Sequence, residues 1–198
     1  MSGRDARADR AHWTAKYAEG IRESPPSAWV AAALADVPGD ARCLDLACGA
    51  GRHAALLASP QRTVVALDFV EAVVRRASAH PGVVGVVAEG SALPFAPATF
   101  DVVVVVNFLD RSLFPVLGAL LRPGGRLIVE TFTLENLQRM PAERRRGPSS
   151  PDFLLAPGEL PRLVAPLHVV AMREGLVRDA AGERFTAGVV AERRSTDG

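Results

Sequence analysis

The residues best suited to chemistry lie in one short stretch, Leu44-Asp45-Leu46-Ala47-Cys48-Gly49-Ala50-Gly51-Arg52. Gly49 and Gly51 permit a tight backbone turn and a ligand approach that a Cβ would block. A helix opening just after them points free N–H groups and its positive dipole end at that ligand, which favours a carboxylate or a phosphate. Asp45 suits a ligand that also carries an ammonium and would repel a pyrophosphate, so the ligand reads as zwitterionic. Asp68 follows Gly51 by 17 residues, near the roughly 20 at which an acid meets ribose hydroxyls in nucleotide-binding βαβ units. The same Asp68 is also a good N-cap for a following helix. Alone, Gly49-x-Gly51-x-x-Ala54 fits a nicotinamide or flavin site as well, or a plain strand-to-helix turn.

Strand-length apolar runs at 41–46, 63–67, 83–87, 101–107 and 126–131 must position these residues, with helices expected at 52–58, 70–79, 112–121 and 157–165. A run such as 102–106, apolar throughout, asks for burial on both faces, as in a parallel sheet. The alternation predicts a doubly wound α/β sheet. At the end of the chain, runs at 168–173 and 185–192 have only a short polar stretch between them, so they are expected to pair as an antiparallel hairpin. The expected whole is a mixed seven-stranded sheet with helices on both faces.

From about residue 41 to residue 130 the sequence resembles the class I S-adenosylmethionine-dependent methyltransferases. Four ordered pieces carry the likeness: 44–51 as the glycine-rich motif, Asp68 as the ribose acid, Glu89-Gly90-Ser91-Ala92-Leu93-Pro94-Phe95 ahead of Thr99-Phe100-Asp101, and Arg122-Pro123-Gly124-Gly125-Arg126 before the fifth strand. Ala47 stands where many members have Gly, and Glu89 where Asp is usual. The resemblance implies a Rossmann-like fold, S-adenosylmethionine as cofactor and S-adenosylhomocysteine as product. It assigns cofactor contacts to Asp45 (near the methionine amino group), Ala47, Gly49, Gly51, Asp68, Phe69, Glu89 (adenine edge), Gly90, Ser91 and Asn107. Asn107-Phe108-Leu109, Leu113-Phe114-Pro115, Glu130-Thr131-Phe132 and 153–160 further resemble the small tellurite-resistance-related and thiopurine-like branch.

Methyl transfer from a sulfonium needs alignment and exclusion of water more than a dedicated catalytic pair. Asn107 is the expected acceptor contact, because an amide beside five valines is costly without a partner. Asp110 and Glu130 close strands four and five on the same side. Trp13 and Tyr17, four apart on an N-terminal helix with His12, share the face that would cover a ligand, although such a pair is more often helix packing. His53 is expected on the first-turn surface of its helix. Arg144-Arg145-Arg146 reads first as a solvated loop and second as a site for an anionic acceptor.

Composition narrows the partners. The chain has 198 residues, 48% hydrophobic, with 23 basic against 22 acidic residues and a net charge of +1. Near neutrality removes the broad attraction that nucleic acid or anionic membranes exploit, leaving a small molecule as the expected acceptor. Cys43 and Cys48 form neither a disulfide framework nor a zinc pattern, and no metal is expected. No apolar signal core precedes residue 24, and no apolar run approaches the roughly 20 residues of a membrane helix, so a cytoplasmic protein is expected. Residues 1–198 are expected to form one domain: a helical lid (1–40), the cofactor core (41–133), a substrate-side loop (134–151) and a C-terminal helix and hairpin (152–198). The alternatives are a nicotinamide-dependent oxidoreductase and a non-catalytic S-adenosylmethionine-binding domain, and the oligomeric state stays open.

Overall fold

The computed structural model describes residues 6–20, 24–180 and 182–195; side chains 6–9 and 91 fall outside that description, and with them the expected contribution of the Ser91 side chain. Seven strands form one sheet: β1 (Arg42–Leu46), β2 (Thr63–Asp68), β3 (Val83–Val87), β4 (Phe100–Val106), β5 (Leu121–Phe132), β6 (His168–Asp179) and β7 (Gly182–Glu192). Their order is β3-β2-β1-β4-β5-β7-β6. The first five run parallel, and β7 enters antiparallel between β5 and β6. The expected doubly wound mixed sheet with a C-terminal antiparallel hairpin is therefore the fold observed.

Strand side chains alternate between two apolar layers, as a period of two requires. On one face, Leu44, Val103, Val105 and Leu127 pack with Leu117 and Leu120 of α5 (Phe114–Leu120) and Leu160 of α7 (Leu160–Leu163). On the other, Cys43, Val64, Val104 and Ile128 pack with Val30 of α2 (Ala28–Ala33), Leu57 of α3 (Arg52–Leu57) and Ala77 of α4 (Glu71–Ala77).

Three expectations are corrected. The helix over 157–165 shrinks to the four residues of α7, because Pro161 is tolerated only in a first turn and Pro166 stops the continuation. The hairpin is far longer than 168–173 with 185–192: pairing continues to Asp179 opposite Gly182, where Gly182 takes a φ of +97°. The Pro-Gly-Gly turn lies inside β5, as an irregularity between the pairs Phe100–Leu121 and Val102–Arg126. Helix α2 falls within the segment expected to be a helical lid, whereas α6 (Leu134–Arg139) stands where a loop is expected; six residues hold too few turns to show a periodic pattern. Among the described residues no helix is long and apolar enough to cross a membrane.

Candidate active site

Strand β1 ends in a loop that turns three times through the left-handed region, at Ala47 (φ 56°), Gly49 (φ 50°) and Gly51 (φ 81°). The two glycines serve different neighbours. A Cβ on Gly49 would stand 3.1 Å from the Tyr17 hydroxyl, over the cleft, whereas one on Gly51 would collide with Ala77 of α4 at 2.6 Å. Gly51 thus permits helix packing, and it does not line the cleft.

Asp45 is 1% exposed and also lies outside the cleft lining. The Ala54 N–H donates to its Oδ2 at 2.8 Å, so Asp45 meets the N-terminus of α3 instead of facing open space. The reason is local: the N-cap residue of α3 is Gly51, with no side chain to accept from the first turn. Burial raises the Asp45 carboxyl to about 7, against the lowering effect of the Ala54 bond and Arg52.

Asp68 closes β2 and does line the cleft. Its Oδ2 accepts the Gly49 N–H (3.1 Å) and its Oδ1 the Val70 N–H (3.0 Å), so one carboxylate fixes both the glycine loop and the entry to α4. Carboxylate oxygens have about four acceptor positions in all, leaving room for ribose hydroxyls. Burial raises the Asp68 pKa.

The cleft, about 1910 Å³, opens at the C-terminal ends of the parallel strands beside β1 and β4, whose connections run to opposite halves of the sheet. This is the position at which open α/β sheets bind ligands. Ala47, Phe69, Glu89 and Gly90 line its β1–β3 half; Asn107, Asp110, Glu130 and Phe132 line the β4–β5 half. Helix α1 (Ala6–Ala18) lies across it: Trp13 and Tyr17 face in with rings 5.8 Å apart, Arg10 pairs with Glu89 at 2.7 Å, and the Arg10 guanidinium stacks on Phe69. Burial, with Asp68 nearby, pushes the Tyr17 phenol up to about 12.

Asn107 lines the cleft for a different reason than expected. It is exposed at the strand end, with a φ of 57° that Asn tolerates better than most residues. Asp110 accepts from the Ser112 N–H and hydroxyl (3.0 and 2.6 Å) and so closes its own turn. Glu130 is 1% exposed and accepts from the Ser27 hydroxyl, Arg173 Nη2 (2.7 Å) and Thr186 Oγ1 (3.4 Å). His53, expected at the surface, is 3% exposed; its Nε2 accepts the Ser27 N–H at 3.1 Å, and burial beside Arg52 drives its pKa down to about 3. It is therefore neutral at physiological pH. Arg52, Arg146 and Arg184 also line the cleft. Of these the sequence marks Arg52, by its place directly after the glycines, and Arg146, by its run of three arginines; Arg184 and the Glu130 partners come from distant segments.

Residues 43–125 match the family model of a methyltransferase domain. A solved S-adenosylmethionine-dependent methyltransferase from Methanosarcina mazei shares the fold at a TM-score of 0.66 and 19% identity, over 87% of this chain and 100% of that one. By the family match, residues 43–125 are a methyltransferase domain. That assignment decides between the two cofactor classes allowed by the glycine motif. The chain is 37% identical over 108 residues to demethylmenaquinone methyltransferase of Beutenbergia cavernae, covering 51% of this chain and 44% of that protein. It is also 37% identical over 107 residues to malonyl-acyl-carrier-protein O-methyltransferase of Methylococcus capsulatus, covering 48% and 38%. The chain thus spans less than half the length of either curated relative.

Proposed function

We propose that the protein transfers the methyl group of S-adenosylmethionine to a small-molecule acceptor. The observation that carries this reading is the single cleft that gathers Ala47, Gly49, Asp68, Glu89 and Gly90 on one wall and Asn107 and Phe132 on the other. The donor set fits the cofactor: Asp68 and Glu89 are acceptors for hydroxyl and amine hydrogens, and Gly49 keeps the loop free of a side chain that would meet Tyr17. Bound S-adenosylmethionine supplies an activated methyl on a sulfonium. The chain holds and orients it through the glycine loop, which Asp68 pins, and excludes water with Trp13 and Tyr17 on α1, which acts as the lid.

Asp45 supports the site from below by fixing α3. The resemblance places it near an ammonium, whereas its carboxyl is buried behind the cleft wall against the Ala54 N–H. Asn107 remains the proposed acceptor contact, with Asp110 and Glu130 behind it. The short segment 134–151 favours a small acceptor over a macromolecule, and the named acceptors of the two curated relatives differ from each other. Placement in the tellurite-resistance-related and thiopurine-like branch rests on the motifs at 107–115, 130–132 and 153–160.

Calorimetry with S-adenosylhomocysteine and with NAD tests the cofactor half. Binding of the first and not the second is expected, and the reverse overturns the reading. Cofactor consumption against thiols, phenols, amines, carboxylates and oxyanions tests the acceptor half; activity on none of them favours a binding domain without turnover.

A further inference from the structure

On that methyltransferase reading, one end of the cleft is left for the acceptor, and its charges are unevenly matched. Glu130 is taken by Arg173 at 2.7 Å, and Asp179 by Arg184 through both oxygens at 2.7 and 2.8 Å. Three further arginines line the cleft, Arg52, Arg76 and Arg146, and neither Arg52 nor Arg146 has a carboxylate in ion-pair range among the described residues. Arg52 spends only Nη1, on the Ser24 hydroxyl (2.5 Å) and the Pro25 carbonyl (3.2 Å). Its Nε and Nη2 hydrogens have no acceptor among the described residues. A half-buried guanidinium with two of its nitrogens unpaired is costly to keep, and a bound anion removes that cost.

Arg146 keeps an exposed side chain, as the sequence suggests, but on a backbone that is held in place. The fully buried Asn136 donates to its carbonyl at 2.7 Å while accepting the Phe185 N–H at 3.0 Å. The next residue, Gly147 (φ +88°), lies so close to the Phe132 ring that a Cβ would stand 2.7 Å from it. Arg145 ties the same loop to the Leu137 carbonyl. The backbone that carries Arg146 is thus built against the site, and Phe132 and Phe153 form apolar wall beside it.

We infer that the acceptor carries a carboxylate or a phosphate that docks on Arg52 and Arg146, with its carbon skeleton against Phe132 and Phe153. Guanidinium groups suit either anion by paired N–H···O bonds.

The test is calorimetric titration of the full chain saturated with S-adenosylhomocysteine, whose own carboxylate has then taken any guanidinium it needs. The probes are benzoate, phenyl phosphate and benzamide, alike in ring and different in charge. At least one anion is expected to bind about tenfold or more tighter than benzamide, and the stronger of the two identifies the anion class. Arg146→Gln, an exposed position that the fold does not need, is expected to cost that anion about tenfold while benzamide stays within about twofold. The Arg52→Gln/Arg146→Gln double variant is expected to bring the anion down to the level of benzamide. Benzamide as tight as both anions, no anion bound by the loaded protein, or full anion affinity in Arg146→Gln would each overturn the inference. Failure of the wild-type chain to bind S-adenosylhomocysteine would overturn the methyltransferase reading instead.

Discussion

At the scale of single residues, the loop after β1 carries a strain that one substitution should release. Ala47 holds a φ of 56°, a conformation that costs a residue with a Cβ roughly 1–2 kcal/mol. Glycine would remove that cost and return about 0.5–1 kcal/mol of it through unfolded-state entropy. Ala47→Gly is therefore expected to raise stability by about 0.5–1 kcal/mol in urea unfolding, and an equal or lower midpoint would show that the strain is absent in solution. Asp68→Ala should weaken S-adenosylhomocysteine binding by roughly 1–3 kcal/mol and lower stability too, since the same carboxylate holds the Gly49 and Val70 N–H groups. Unchanged affinity in calorimetry would remove it from the site. Asp68 was legible because its role follows from spacing to the glycines. The burial of His53 was not, because its partner Ser27 lies 26 residues earlier in a segment without pattern.

At the scale of elements, continuous apolar runs announced the parallel strands, since only two-sided burial makes such runs favourable. The short helices carry no such pattern for the converse reason: α2 and α6 owe their bounds to what they pack on, such as Val30 in the core and Asn136 between β7 and the 141–150 loop. The lid helix α1 yields a graded expectation. Its Arg10–Glu89 pair is exposed, with side chains 46% and 39% accessible, and such pairs contribute about 0–1 kcal/mol. Tyr17 sits over Gly49 and is partly buried. Tyr17→Ala should weaken S-adenosylhomocysteine binding by roughly tenfold or more, while Arg10→Ala stays within about fivefold. Calorimetry on the two variants ranks them, and a larger loss for Arg10→Ala would mean that α1 is held to the cleft by its ion pair and not by its ring.

At the scale of the whole molecule, a net charge of +1 conceals two buried groups that oppose each other in their response to pH. Burial lowers His53 from the ordinary 6.5 to about 3. Its contribution to stability is complete above 6.5 and is lost as pH falls toward 3, because the unfolded chain then binds a proton that the folded one refuses. Burial raises Asp45 from the ordinary 3.8 to about 7. Its contribution is complete below 3.8 and is lost as pH rises through 7, because here the folded state holds the extra proton. Asp68 shifts in the same direction as Asp45. Between about pH 4 and 6.5 the His53 and Asp45 slopes, each near 1.4 kcal/mol per pH unit, have opposite signs and offset one another. Removing either group should expose the other. Relative to wild type across that window, His53→Gln is expected to gain stability on acidification and Asp45→Asn to lose it, each by up to about 1.4 kcal/mol per pH unit. Urea unfolding at half-unit pH steps measures both differences, in which all other titrating groups cancel. Flat difference curves would mean that water reaches these two side chains, and with it the α3 end of the cleft they support.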